Sequence, residues 1–560
     1  CPARSPIFVG IQPRSFHNNP HEPYGWSAYA RSVADLMVGI NMSRLFSCKN
    51  QTLLTIGRVQ TPTLGLVVNR DLAIEGHHKQ KYYTIACDIN FNNDTVQADF
   101  IPSKTDSNLV DGHILSKEYA EQICNRLKGQ TLKNINITKK IIYEAPPLPF
   151  NLVKLQTYCS GKFGYSPQQV LDITQSLREN HKAITYNRSD CQYLSEEHYK
   201  EAPVTMKAVI MNIRYKPKSL DMNLKSKCFD SSKISAHFAI IPTNQKVNLD
   251  KLSEAEKNVY LAICKYYIAQ FMPKAKKEQT NLSVELGNGE AIKAVSTVII
   301  EQGYRSIFNE AEKDKASNLS KIPEGIYSGK ITDTDIAEKE TKPPSRYTKA
   351  SLNEDMTCIS KYVKDPKIKQ LLLSKDEGKE GERGSIGTSA TRSGIIESLV
   401  KRGFLREDGK KVISTALGRE LYRILPDEIK KADMTAEWWS IQEEIQNGTV
   451  NYNKLIDSVY DTIKHIVTNV DNYPVVNSSI IAIKKKGGAV IGKCPRCGGD
   501  IVETKTGFCC SNWKEPTNCK FNIWKKSKSP LFAKTTFTAA TVKKFKVDVA
   551  LPCATQNELL

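Results

Sequence analysis

Between Tyr83 and Phe100, apolar and polar side chains alternate with a period of two. Tyr83, Ile85, Cys87, Ile89 and Phe91 share one face, Asn92-Asn93-Asp94 turns the chain, and Val96, Ala98 and Phe100 alternate back, which predicts a β-hairpin. The same rhythm returns far downstream in Leu282, Val284 and Leu286, a Gly287-Asn288-Gly289 turn, then Ile292 and Ala294. Elsewhere the period lengthens. From Gln168 to Arg178, Val170, Ile173, Thr174 (by its methyl) and Leu177 stand at i, i+3, i+4 and i+7, one face of an amphipathic helix. The stretch 27–44 predicts a second helix, another runs through Arg70-Asp71, and helical patterns continue to about residue 470. This mixture predicts a multidomain α+β protein.

At 560 residues the chain exceeds what one core can serve, and about three to five domains are expected. Its 40% hydrophobic and 25% charged residues are those of an ordinary soluble protein. The net charge of +20 changes the picture by pointing to a polyanionic partner, most simply nucleic acid. No apolar run reaches the ~18 residues of a membrane helix and no signal peptide opens the chain, so no membrane partner is expected. Ten of the fifteen cysteines are scattered singly, which suits a reducing cytoplasm. The other five are Cys494, Cys497, Cys509, Cys510 and Cys519. Two thiolate pairs at this spacing, Cys494 with Cys497 and Cys519 with either Cys509 or Cys510, predict a closed, tetrahedral zinc ribbon. Lys505, Lys514, Lys520 and Trp524 would give it a basic, aromatic surface suited to single strands.

Candidate chemistry follows the 168–178 helix directly, in His181-Lys182-Ala183-Ile184-Thr185-Tyr186-Asn187-Arg188-Ser189-Asp190. Ala183-Ile184 reads as a short strand or turn that carries Tyr186 at its tip. A phenol, with an ordinary pKa of ~10, is a covalent nucleophile once its attack is assisted. Arg188 offers a permanently charged, forked donor that matches a phosphate.

Pro146-Pro147-Leu148-Pro149-Phe150, Leu155-Gln156, Lys162-Phe163-Gly164-Tyr165-Ser166, the helix and Thr185-Tyr186-Asn187-Arg188-Ser189-Asp190 follow in one order at short spacings. The run resembles the active-site region of type IA DNA topoisomerases, in the bacterial topoisomerase III branch. The resemblance implies that Tyr186 is the DNA-cleaving nucleophile, which becomes esterified to a 5′-phosphate, and that Arg188 stabilises charge on the phosphoryl oxygens. Asn187 stands where the family has proline, which loosens the turn without removing a reacting group. Ser235-Ala236-His237-Phe238-Ala239-Ile240-Ile241-Pro242-Thr243 is similar to the family's Ala-His-x-Ala-Ile-x-Pro run and implies a place for His237 beside the scissile phosphate. Arg31, Asn41 and Arg44, then Arg58, Gln60 and Thr61 of Gly-Arg-Val-Gln-Thr-Pro, match the family's single-strand groove, as do Thr388, Thr391 and Arg392 of Gly-Thr-x-Ala-Thr-Arg. Leu36 replaces a tryptophan common there. Cys510-Ser511-Asn512-Trp513 resembles the family's ribbon and favours Cys510 over Cys509 as the third zinc ligand.

The implied architecture is a toroidal body. It comprises a helical DNA-groove domain (26–75 and 339–475), a β arch (76–145 and 246–338) with an inserted tyrosine gate domain (146–245), and a zinc ribbon (488–526). Residues 1–25, without periodicity, read as disorder or a truncation scar, and 527–560 as an incomplete tail. The implied partners are single-stranded DNA and duplex with single-stranded regions, bound by a cytoplasmic monomer. Family members also carry a Toprim domain whose carboxylates hold magnesium and whose glutamate protonates the leaving oxygen. Its ligands are expected to be absent from this chain, so that it would act as a fragment with little cleavage of its own. Asp376-Glu377-Gly378-Lys379-Glu380-Gly381-Glu382 mimics the magnesium motif but has glycine for its second carboxylate, and is expected to be a solvated loop. A non-catalytic single-strand-binding relative is the alternative. Rolling-circle relaxases and tyrosine recombinases need histidine or Arg/Lys/His sets that the nine histidines here do not form.

Overall fold

A computed structural model describes residues 22–234, 236–308, 318–379, 381–477, 480, 490–504, 507–513 and 519–525. They fall into two compact units: the described residues of Cys1–Ser47 with Leu53–Tyr473, and those of Cys48–Thr52 with Pro474–Leu560.

The first unit opens with helices α1 (Glu22–Lys49) and α2 (Gln60–Glu75). Along α1, Ala30, Ala34, Val38, Met42 and Phe46 recur every fourth residue and are buried. The helix already runs at Glu22, inside the stretch expected to lack structure, and residues 1–21 lie outside the described ones. A β-domain follows: β1 (Lys81–Phe91), β2 (Asp94–Ile101), β3 (Leu109–Val110), β4 (His113–Ile114), α3 (Lys117–Leu127) and β5 (Thr131–Glu144). Asn92 and Asn93, at φ 50 and 64, make the tight first turn, as residues tolerant of the left-handed region do. The chain then leaves the sheet for α4 (Leu152–Phe163), α5 (Pro167–Glu179), α6 (Glu196–Ile213) and α7 (Glu254–Ala269). It returns as β6 (Ala275–Gly287), β7 (Glu290–Glu301) and β8 (Gly325–Glu340).

The two sequence-predicted hairpins lie in one sheet, joined where β2 pairs with β7 at Phe100 and Ile292. Strand β7 pairs with β6, β6 with β5, β5 with β8, β8 with β1, and β1 with β2. That is a closed antiparallel ring of six strands, which leaves no open edge among them. Ile85, Ile89, Val96, Phe100, Ile137 and Leu282 fill it, and α3 adds Ile123 and Leu127.

The inserted helices have their own core. Leu155 of α4, Val170 and Leu177 of α5 and Met206 of α6 pack with Val259, Ile263 and Tyr267 of α7 and with Phe271. The boundary expected at 245/246 therefore needs correcting. Residues 246–272 belong to the tyrosine domain, because the apolar face of α7 at i, i+4 and i+8 finds its partners on these helices.

The chain re-enters the helical domain through α8 (Lys349–Asp355), α9 (Pro366–Lys375) and α10 (Arg392–Lys401). The hairpin β9 (Leu405–Asp408) and β10 (Lys411–Ser414) follows, then α11 (Ala416–Ile424), α12 (Asp427–Lys430), α13 (Asp433–Gln446) and α14 (Asn453–Thr468). Asp71 of α2 is buried here; its carboxylate accepts the Ser414 amide and hydroxyl, both at 2.7 Å, and pairs with Arg346. In the second unit β11 (Val490–Lys493), β12 (Asp500–Glu503), β13 (Gly507–Cys510) and β14 (Asn522–Trp524) form a four-stranded antiparallel sheet around Ile491, Ile501 and Phe508. Lys505, Lys514 and the tail from 526 lie outside the described residues.

Candidate active site

Helix α5 starts at a capping box, Ser166 with Gln169, with Pro167 in its first turn. At its far end Lys182 takes φ 52 and reverses the chain, and the Ala183 amide donates to the Leu177 carbonyl at 2.9 Å. Ile184 then bridges Pro242. The Thr185 amide donates to Ile241 O, and the Thr185 hydroxyl accepts the Ile241 amide, both at 3.0 Å. These bonds draw the run after His237 onto the tyrosine turn. The half-buried Tyr186 ring lies 4.4 Å from the His237 ring, centroid to centroid, at 36°. On the same ring sits the Arg178 guanidinium, 4.7 Å from the centroid, in a cation–π contact.

Asn187, where the family's proline stands, is buried and donates through Nδ2 to the Thr174 hydroxyl at 3.2 Å, so a hydrogen bond to α5 restrains this turn. Arg188 donates through Nη2 to Gln175 Oε1 at 2.8 Å. Its carbonyl accepts the Ser389 hydroxyl at 3.0 Å, while Ser189 O and Asp190 O accept the Leu152 amide and Asn151 Nδ2. Beneath the turn, burial opposes ionisation of Glu256. The Ser176 hydroxyl, the amide and hydroxyl of Ser253, and His181 at 3.4 Å outweigh it and hold the carboxyl down at about 2.

The groove residues divide. Arg44, Thr388 and Thr391 are exposed, and Arg31, Asn41 and Gln60 half-buried. Arg31 reaches to 3.9 Å from Asp35, Asn41 Nδ2 donates to Met37 O, and Gln60 Nε2 donates to Thr55. Three residues expected to touch DNA are instead inside the protein. Arg58 is buried, paired with Asp35 at 2.8 Å and stacked 4.9 Å over Trp438. Thr61 is buried, its hydroxyl accepting the Gly57 amide. Arg392 is fully buried, donating to Ile386 O and Gly387 O and paired with Glu382 at 2.7 Å. For the two arginines, acceptors supplied by the fold take N–H groups that a phosphate would otherwise meet, and Thr61 is withdrawn by burial.

The 376–382 loop is exposed at 377–379 and 381, as expected of a solvated loop, and departs from expectation at its two ends. Asp376 is buried, accepts the Ser385 amide at 2.5 Å and pairs with Lys375, whose ammonium burial pushes down; Glu382 holds Arg392. Both ends are internal anchors rather than solvated charges, and Glu380 lies outside the described residues.

In the ribbon, the sulfurs of Cys494, Cys497, Cys510 and Cys519 all lie within 4.8 Å of one another. The pairs 494/519 and 497/510 are 3.6 and 3.3 Å apart, close to the ~3.8 Å edge of a tetrahedron with ~2.3 Å Zn–S bonds. Cys509, on the alternate face of β13, stays outside the cluster. Four soft thiolate donors fit zinc. Among the described residues no other group of three or more potential ligands converges. The groups in contact with the Tyr186 ring are Arg178 and His237, neither an oxygen ligand of the kind magnesium takes.

Sequence reasoning missed Arg178 and Gln175. Their signal was their place in the last two turns of α5, eight and eleven residues before Tyr186, on the side left free by the buried stripe.

The DNA topoisomerase family matches residues 21–457. The chain is similar to DNA topoisomerase 3 of Vibrio cholerae serotype O1, 33% identical over 474 residues that cover 82% of this chain and 72% of that one. It is 34% identical to DNA topoisomerase 3 of Salmonella typhimurium over 471 residues, 82% and 71% of the two chains. Its fold is similar to that of full-length topoisomerase I from Thermotoga maritima, at 22% identity and TM-score 0.57, covering 90% of this chain and 76% of that one.

Proposed function

Because the chain belongs to the type IA DNA topoisomerases, in their topoisomerase III branch, we propose that Tyr186 is its nucleophile and that Arg178, Arg188 and His237 serve the phosphoryl group. The Tyr186 oxygen attacks a backbone phosphorus and gives up its proton. The bond to the 3′ oxygen breaks, that oxygen takes a proton, and the 5′-phosphate stays esterified to the ring oxygen until the reverse attack reseals the strand. Arg178 and Arg188 carry positive charge, and His237 a ring N–H, toward phosphoryl oxygens whose charge grows in the transition state. The observation that carries the reading is the convergence of His237 and Arg178, from two separate segments, onto the Tyr186 ring. Arg31, Asn41, Arg44, Gln60, Thr388 and Thr391 supply the accessible polar groups for single-stranded DNA or single-stranded regions of duplex. The thirteen free cysteines among the described residues favour a reducing compartment, the cytoplasm.

The test is a covalent adduct. Mixed with a labelled oligonucleotide, magnesium and a Toprim domain supplied from a relative, the chain is expected to give an adduct that survives denaturation. Tyr186→Phe is expected to give none. No adduct from the parent chain, or an undiminished one from the variant, rejects the proposal. For the ribbon, zinc held by Cys494, Cys497, Cys510 and Cys519 is the reading. Cobalt(II) should give a tetrathiolate absorption spectrum that Cys509→Ser leaves intact and Cys510→Ser destroys.

A further inference from the structure

The segment that leaves the tyrosine turn runs past a set of cations with no internal job. It pairs with the turn through Thr185 N to Ile241 O and Thr243 N to Ala183 O, both at 3.0 Å. Further on, Asn212 near the end of α6 clasps it: Nδ2 donates to Gln245 O at 2.9 Å and Oδ1 accepts the Val247 amide at 3.0 Å. Four residues of chain span at most ~14 Å, so Gln245, which Asn212 at the end of α6 clasps, lies within that distance of the turn's pairing partner Ile241. Lys182, Lys246, Arg214 and Lys216 stand along this path, all exposed, and none forms an ion pair among the described residues. Tyr215, between two of them, is 49% exposed. Of the acids flanking α6, Glu196 pairs with Lys225, and the Asp221 carboxylate accepts the Asn223 amide.

Four cations without an ion pair, on segments paired to one another and starting four residues from the proposed nucleophile, have the phosphates of one strand as their natural counterions. An exposed aromatic ring among them offers a stacking face for a base. The segments that carry the track and Tyr186 pack into one core through Ala183, Ile184, Val209 and Val247, so they move as one body, and the strand that can lie on both is the one bonded to the tyrosine. We propose that Lys182, Lys246, Arg214 and Lys216, with Tyr215 as stacking platform, hold the single-stranded segment joined to Tyr186 through its 5′-phosphate. This deepens the nucleophile reading and rests on it.

Binding of a fluorescent single-stranded oligonucleotide to the full chain, titrated across salt, tests it without cleavage. Each neutralised phosphate contributes ~0.7 to the slope of log K against log salt, so Lys246→Ala/Arg214→Ala/Lys216→Ala should flatten the slope by about 2. Tyr215→Ala should weaken binding roughly tenfold at fixed salt and leave the slope alone. A photoreactive thymidine on the 3′ side of the cleavage site should cross-link to residues 211–218, and one on the 5′ side should not. An unchanged slope in the triple variant, or cross-links from the 5′ side only, overturns the proposal. Failure of the Tyr186 reading has a different signature: no adduct, with the slope change still present.

Discussion

The turns at 185–190 and 387–392 each set an arginine behind a threonine, and they touch where the Ser389 hydroxyl donates to Arg188 O. Their arginines have opposite fates. Arg188 is half-buried, tethered at one nitrogen to a neutral amide, and keeps other N–H groups for a ligand. Arg392 is sealed in, with Glu382 and two carbonyls around it, and one nitrogen, Nη1, left without a partner. A guanidinium facing a neutral amide stays available to an anion, whereas one facing a buried carboxylate becomes a strut. Proximity to the tyrosine turn is therefore a poor guide to what an arginine does there; its counter-ion decides.

The largest effect should come from breaking the strut. Arg392→Leu strands Glu382 in the interior and is expected to cost about 3–5 kcal/mol in urea unfolding, with much of the loss recovered in the Glu382→Leu/Arg392→Leu pair. Next, Arg188→Ala should leave the urea midpoint nearly unmoved and slow adduct formation by about 100-fold, the size of one lost oxyanion donor. If Arg188 proves as costly to stability as Arg392, the contrast between the two turns is wrong. The smallest effect should follow Ser389→Ala, which removes one hydrogen bond between the turns: about 1 kcal/mol in the same unfolding experiment.

How much of this was legible depended on whether a local period carried it. The α5 stripe and both hairpins were, because burial imposes 3.6 or 2 directly on the sequence. Strand β5 was not: Asn134, at φ 60, interrupts the pairing with β8 between Leu132 and Ile135 and shifts the phase of the alternation. Closure of the ring was hidden too, since it depends on β2 meeting β7 across nearly two hundred residues of chain. At the site, motif order identified Tyr186 and His237 as neighbours, and cysteine spacing identified the ribbon cluster. Direction was beyond reach. Nothing in Gly-Thr-x-Ala-Thr-Arg tells whether Arg392 faces solvent or Glu382, and nothing in Asp376–Glu382 announces that the two end carboxylates of this exposed loop are its internal anchors.

The tyrosine domain hangs between β5 and β6, whose last and first residues, Glu144 and Ala275, are paired across the sheet. Both ends of residues 145–274 thus leave the ring side by side, and Lys277, Tyr304 and Arg305 all grip Glu144 at that point. Mechanically this is one stalk rather than two tethers. A load on the tyrosine domain passes into the sheet through these two adjoining residues, with Lys277, Tyr304 and Arg305 bracing the point.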